Sequence, residues 1–81
     1  MFYTYILQSD KNGRYYVGSC SDIVERLKRH NNGLVKSTKA YLPWKVIYTE
    51  TYQTLSETRK REYQIKSWKK RSAIEKLIKT F

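Results

Sequence analysis

The sequence is poor in cysteine, histidine and acids: it has one Cys, one His and seven Asp plus Glu in 81 residues. A single cysteine, Cys20, excludes an internal disulfide and a cysteine-built zinc site. No stretch approaches the ~18 consecutive apolar residues of a membrane span. The N-terminus lacks the basic-then-apolar pattern of a secretory signal. There is no internal repeat, low-complexity tract or linker composition. These absences lead to the expectation of one domain, residues 1–81, in a reducing cytoplasm and away from membranes.

What the chain does have is positive charge and tyrosine. Lys plus Arg number 17, so the formal charge is +10, and eight residues are Tyr. Such an excess repels itself in the compact state, which a polyanionic partner relieves. Nucleic acid is the commonest such partner. An anionic membrane surface is the second option, but no segment has the pattern of a deep amphipathic anchor. Solubility alone is the bland reading. The interleaving of basic and aromatic residues favours nucleic acid. Residues 53–81 hold nine basic and three acidic side chains, so +6 of the charge falls in the C-terminal third.

Local patterns set out six elements. Residues 2–8 and 14–19 are β-branched and aromatic, and Asn12-Gly13 between them signals an antiparallel hairpin. Asp22 as N-cap with Glu25 three residues on opens a helix that Asn31-Asn32-Gly33 closes. An irregular basic loop covers 34–43. A third strand is expected over 44–52, with Trp44, Val46, Tyr48 and Tyr52 on one side and Glu50 as the exception. The box Thr54-Leu55-Ser56-Glu57 opens a helix from 55 to about 67, and a last helix runs from about 70 to 80. The order β-β-α-β-α-α implies a small α/β (α+β) fold of layered strands and helices. Local signals leave the partner of the third strand open.

Some polar residues fall at apolar positions. At about 100° per residue, Ile23, Leu27 and His30 lie within roughly 60° on the first helix, beside Arg26. Two readings fit: a His⁺ at the helix C-terminus with a solvated Arg, or a functional pair on a half-buried face. On the next helix Leu55, Arg59, Glu62 and Lys66 share a stripe, flanked by Ile65 and Tyr63. Glu62 reads either as an i,i+4 partner of Lys66 or as a lone carboxylate where a hard cation could bind. Tyr3, Tyr15, Tyr41, Tyr48, Tyr52 and Tyr63 default to packing. A tyrosine hydroxyl beside a cation can also serve as base or nucleophile.

The pair Tyr5-Ile6, the triplet Tyr16-Val17-Gly18 ten residues beyond Ile6, Arg26, His30, and the later Arg61-Glu62-Tyr63-Gln64-Ile65-Lys66 together resemble the GIY-YIG endonuclease superfamily. The likeness spans the chain and is closest to the short stand-alone bacterial branch. Thr4 stands where the first of the two name-giving triplets begins with Gly. The resemblance implies a three-stranded antiparallel sheet flanked by helices. It implies catalytic roles for Tyr5, Tyr16, Arg26, His30 and Glu62. Glu62 would hold a divalent metal, Mg²⁺ with Mn²⁺ as a substitute. Arg26 would contact the scissile phosphate, and Tyr16 would be the general base, with Tyr5 or His30 assisting.

Gly18 is expected to leave room for close backbone or phosphate approach. Lys36, Lys39, Lys45, Lys60, Arg61, Lys66, Lys69, Lys70 and Arg71 are expected to follow a nucleic-acid backbone without reading bases. The implied activity is phosphodiester hydrolysis, with DNA as the expected substrate class. The rivals are a nucleic-acid-binding module of the same fold with little or no turnover, and a basic scaffold in a larger assembly. Monomer and homodimer both stay open, with Trp68 as an aromatic a dimer could use.

Overall fold

The computed structural model describes residues 1–79. Strands β1 (Phe2–Ser9), β2 (Tyr15–Cys20) and β3 (Trp44–Tyr52) form one sheet in the order β2-β1-β3. Both pairings are antiparallel. Helices α1 (Ile23–Asn31), α2 (Leu55–Ser67) and α3 (Arg71–Lys79) complete the fold, with a short 3₁₀ turn at Lys39–Tyr41. The expected order of elements is therefore the observed one, and their bounds agree within a residue or two. The expected end of the last helix at residue 80 lies outside the described residues.

The helix ends follow local chemistry. Asp22 accepts a hydrogen bond from the Glu25 N–H at 3.1 Å. Thr54 and Glu57 close a reciprocal capping box, which leaves fewer orphan donors at the start of α2. At the end of α1, Leu34 N–H donates to the Arg29 carbonyl and Gly33 N–H to that of His30. That pairing needs the left-handed backbone that Gly33 adopts at φ +73°, so glycine ends this helix at little cost.

The central strand β1 has both edges paired, and its two faces carry separate cores. Tyr5, Leu7, Cys20 and Trp44 are buried on one face, under Ile23 and Leu27 of α1. Ile6, Val17, Tyr48 and Ile65 are buried on the other, with Ile74 and Leu77 of α3 packed against them. Ile6 and Ile65 are essentially inaccessible, each worth ~1.5–3 kcal/mol of burial. The result is three layers: α1, the sheet, then α2 with α3.

Two expectations are corrected by register and packing. Ile6 pairs with Tyr48 and Leu7 with Val46, so Ile47 is an extra residue in β3. A bulge of this kind reverses which face the following residues present. Trp44 and Val46 therefore face α1, whereas Tyr48 packs on the α2 side with Ile6 and Ile65. Glu50 is no exception on that second side, because it accepts hydrogen bonds from both Tyr48 and Tyr52. The second correction concerns α2. Its buried residues are Thr58 and Ile65, while Arg59 and Lys66 are exposed. The stripe of Leu55, Arg59, Glu62 and Lys66 thus straddles the solvent boundary. Trp68 is half-buried against the Ile65 core with the Arg61 guanidinium over its ring, so it is not a free aromatic for a dimer.

Candidate active site at the sheet edge

β2 is an edge strand, and side chains from the layers on either side meet across it. The Ser19 hydroxyl donates to Glu62 Oε1 at 2.7 Å. The Ser19 carbonyl faces Arg26 Nη1 of α1 at 3.5 Å, at the limit of a hydrogen bond. Lys66, one turn beyond Glu62, donates to Glu62 Oε2 at 2.6 Å and lies 5.7 Å from the centre of the Tyr16 ring. Tyr16, Arg26 and Glu62 thus converge on Ser19 and Lys66 from three elements.

Behind this rim lies a buried polar chain. The Thr38 hydroxyl lies 2.8 Å from His30 Nδ1 and 3.3 Å from the Val35 carbonyl, and the Tyr5 hydroxyl lies 3.2 Å from His30 Nε2. Both ring nitrogens of His30 are therefore hydrogen-bonded. Burial, then Arg26 and Arg29, hold its pKa below the usual value. Burial and then Tyr16 push the Tyr5 hydroxyl well above the ordinary tyrosine range, against a lowering pull from Arg26. The Tyr5 hydroxyl is thus buried and held against His30. Tyr16 stands between this chain and the surface. Its ring meets His30 edge-on at 5.0 Å and lies 6.4 Å from that of Tyr5.

Gly18 has a definite use. A Cβ placed there would lie 2.5 Å from the Tyr5 hydroxyl oxygen, its partner across the sheet. The space expected to admit a phosphate is filled by the Tyr5 ring, so Gly18 serves the tyrosine's placement.

The basic residues divide into engaged and open groups. Arg61 is withdrawn from the expected phosphate track: Nε and Nη2 hold Glu50 at 2.9 and 3.1 Å. Burial by itself pushes the Glu50 carboxyl up, but Arg61, Tyr48 and Tyr52 together bring it below the usual range. Lys45 lies on β3, the opposite edge of the sheet, paired with Asp10 at 3.3 Å. The sheet does not bring it to the site. Lys36 and Lys39 are exposed after α1, and Lys60 is exposed on α2. Lys66, Lys69, Lys70 and Arg71 line a groove of about 440 Å³ with Tyr15 and Tyr16. Arg71 is fastened there by a bond to the Gly13 carbonyl at 2.9 Å and by stacking on Tyr15.

Ser19 and Thr38 are the residues sequence reasoning missed. Each acts through a contact to a distant element, Ser19 to Glu62 and Thr38 to His30. Small hydroxyl residues carry no local signal of such a role.

Two features bear on ligands. Arg26 Nε is buried and has no hydrogen-bond partner among the described residues, an orphaned donor of the kind an anion satisfies. Glu62 accepts two hydrogen bonds, against the roughly four an ionised carboxylate can take. Among the described residues no three His, Cys, Asp or Glu side chains converge as a metal site. A cation at Glu62 would rest on one carboxylate, water and substrate oxygens, a donor set that suits Mg²⁺ and not zinc. The Lys66 ammonium occupies one oxygen of that carboxylate, so a bound cation would compete with it. The residues fit a hard divalent ion.

Comparison with known proteins identifies the family of this fold. Residues 1–77 match the family described as "GIY-YIG catalytic domain". A UPF0213 protein of Staphylococcus saprophyticus is 42% identical over 77 residues, covering 94% of this chain and 92% of its own. A UPF0213 protein of Staphylococcus epidermidis is 38% identical over 73 residues, covering 89% and 88%. The solution NMR structure of the UPF0213 protein from Bacillus halodurans superposes with a TM-score of 0.62 at 29% identity, covering 99% of this chain and 85% of that one. The chain belongs to the GIY-YIG catalytic domain family, a family of endonucleases, alongside short UPF0213 relatives of nearly its own extent.

Proposed function

We propose that this protein is a single-domain, divalent-metal-dependent endonuclease of the cytoplasm. It would hydrolyse phosphodiester bonds in nucleic acid, DNA before RNA. The observation that carries the reading is the meeting, at the free edge of β2, of a half-exposed tyrosine, an under-bonded guanidinium and a carboxylate with acceptor sites to spare.

Hydrolysis of a phosphodiester needs a base for water, neutralisation of charge on the phosphate and help for the leaving oxygen. Tyr16 would take the proton from the attacking water, assisted by positive neighbours such as Lys66. Arg26 would direct its forked donors at a phosphate oxygen as charge develops. Glu62 would hold Mg²⁺, with Ser19 fixing the carboxylate's orientation. When bound, the ion supplies charge neutralisation at the phosphate and at the leaving oxygen. Tyr5 and His30 would act as positioning residues that support Tyr16 from behind. Lys66, Lys69, Lys70 and Arg71 would follow the backbone of the bound strand.

One observation favours the rival reading, a binding module of this fold with little or no turnover. Lys66 already neutralises Glu62 at 2.6 Å. The two readings separate on incubation with branched, nicked and single-stranded DNA, and matched RNA, in Mg²⁺, Mn²⁺ or chelator. The nuclease reading expects metal-dependent cleavage that Arg26→Ala and Glu62→Gln abolish while the fold is retained. Salt-sensitive binding with no cleavage of any substrate would establish the module instead.

A further inference from the structure

Tyr63 is the largest discrepancy between expected and observed burial. A tyrosine on this helix defaults to packing, yet Tyr63 is 77% exposed on the solvent side of α2, opposite Ile65. The ring separates two concavities. One, of about 550 Å³, is lined by Arg59 and Lys60 together with Leu55 and Ser56. The other, of about 460 Å³, is lined by Lys66 and Lys69 with Ser67. Tyr63 borders both. An aromatic ridge therefore stands between two basic hollows, one residue from Glu62.

We infer that Tyr63 is a base-stacking residue, contacting an unstacked base of the bound nucleic acid while its phosphates lie against Arg59 and Lys60 on one side and Lys66 and Lys69 on the other. The inference rests on the proposed nucleic-acid substrate and adds a contact to it. Charge complementarity fixes the class of occupant: four cations border the two hollows, and no acid lines either. A tyrosine face accepts any base, since stacking needs only a π-surface.

Stacking and phosphate contact leave different signatures. Wild type, Tyr63→Ala, Tyr63→Phe and Lys60→Ala would be titrated in chelator, so that nothing is cut, against a single-stranded oligonucleotide carrying 2-aminopurine. The expected result for Tyr63→Ala is roughly tenfold weaker binding. The salt slope would stay unchanged and the 2-aminopurine quenching would be lost. Tyr63→Phe restores both. Lys60→Ala instead lowers the salt slope by about 0.7–0.9. Thermal melts of the variants should match wild type, since the ring is exposed.

Tyr63→Ala that binds and quenches like wild type would overturn the inference while leaving the nuclease reading intact. Loss of binding equally severe with polyglutamate as the ligand would assign the ridge to an acidic protein and overturn it likewise. Wild type that binds no oligonucleotide at all would remove both this inference and the nuclease reading.

Discussion

Glu50 and Glu62 both meet basic side chains of α2, and both carboxylates are largely covered, at 17% and 22% side-chain exposure. Their surroundings differ in saturation. Glu50 accepts from Tyr48, from Tyr52 and twice from Arg61, which fills the roughly four acceptor sites of a carboxylate. Glu62 accepts from Ser19 and from Lys66 only. Arg61 is a planar fork held in a bidentate pair and stacked on Trp68. Lys66 is a flexible ammonium, 47% exposed, one turn along the same helix. The first cluster joins α2 to β3 and has no capacity for a ligand. The second leaves donors and acceptors in hand at the sheet edge. Two carboxylates beside lysine and arginine look alike in a sequence; the count of their hydrogen bonds separates a saturated scaffold from a candidate site.

The sharpest way to break this contrast is to neutralise each acid in turn. Glu62→Gln is expected to cut metal-dependent cleavage by on the order of 10²-fold or more, with a change in stability below ~1 kcal/mol. Glu50→Gln is expected to do the reverse. It would destabilise by about 2 kcal/mol, below the ~3–5 kcal/mol of a fully buried broken pair because this one is partly solvated. Activity per folded molecule would persist. Cleavage assays beside urea melts test both, and matching profiles for the two variants would erase the distinction.

Gly18→Ala comes next. The added Cβ meets the Tyr5 ring, which is buried and cannot swing away, so a loss of about 1–3 kcal/mol is expected. Partial inactivation should follow from displacement of the Tyr5–His30 chain. A variant as stable as wild type would show that Tyr5 is not locked as described.

Acid titration gives a smaller effect. The Glu50 pKa is held below its ordinary 4.5, so its stabilisation is complete above that value and is lost as pH falls through the folded pKa. His30 is depressed below 6.5, so it too favours the fold above that value and costs stability as pH falls below it. Melting temperature should therefore fall in two stages, first below about pH 6.5 and then below about 4.5. Glu50→Gln should flatten the second stage alone.

The smallest expected change is at Lys66→Met. Removing a half-exposed i,i+4 pair costs no more than ~0.5 kcal/mol. Divalent-ion affinity should rise a few-fold because Glu62 loses a competing cation. Isothermal titration with Mn²⁺ checks it, and an unchanged affinity would mean that Lys66 does not compete.

Much of the fold was legible because its signals are local. Caps at Asp22 and Thr54, Gly33 after α1 and the Asn12-Gly13 turn each depend on residues within a few positions of one another. The bulge at Ile47 was not legible, since it depends on how β3 registers against β1. The face on which Tyr48 packs changed with it. The same holds for α2, where Thr58 and Ile65 and not the Leu55–Lys66 stripe turned inward. At the candidate site, the resemblance to the family named Tyr16, Arg26 and Glu62 in advance. Ser19 and Thr38 could not, because their partners lie 43 and 8 residues away.

By itself, then, the sequence determined the elements, their order, the positive charge and the family of the chain. Tertiary structure decided which cations are engaged and which are open. It locked Tyr5 and His30 into a buried chain, gave Arg61 to Glu50 and left Tyr63 outside. The physical reason is that helix caps and turns are short-range, whereas desolvation and hydrogen-bond saturation depend on neighbours far apart in the chain. Only the packed sheet edge brings those neighbours together.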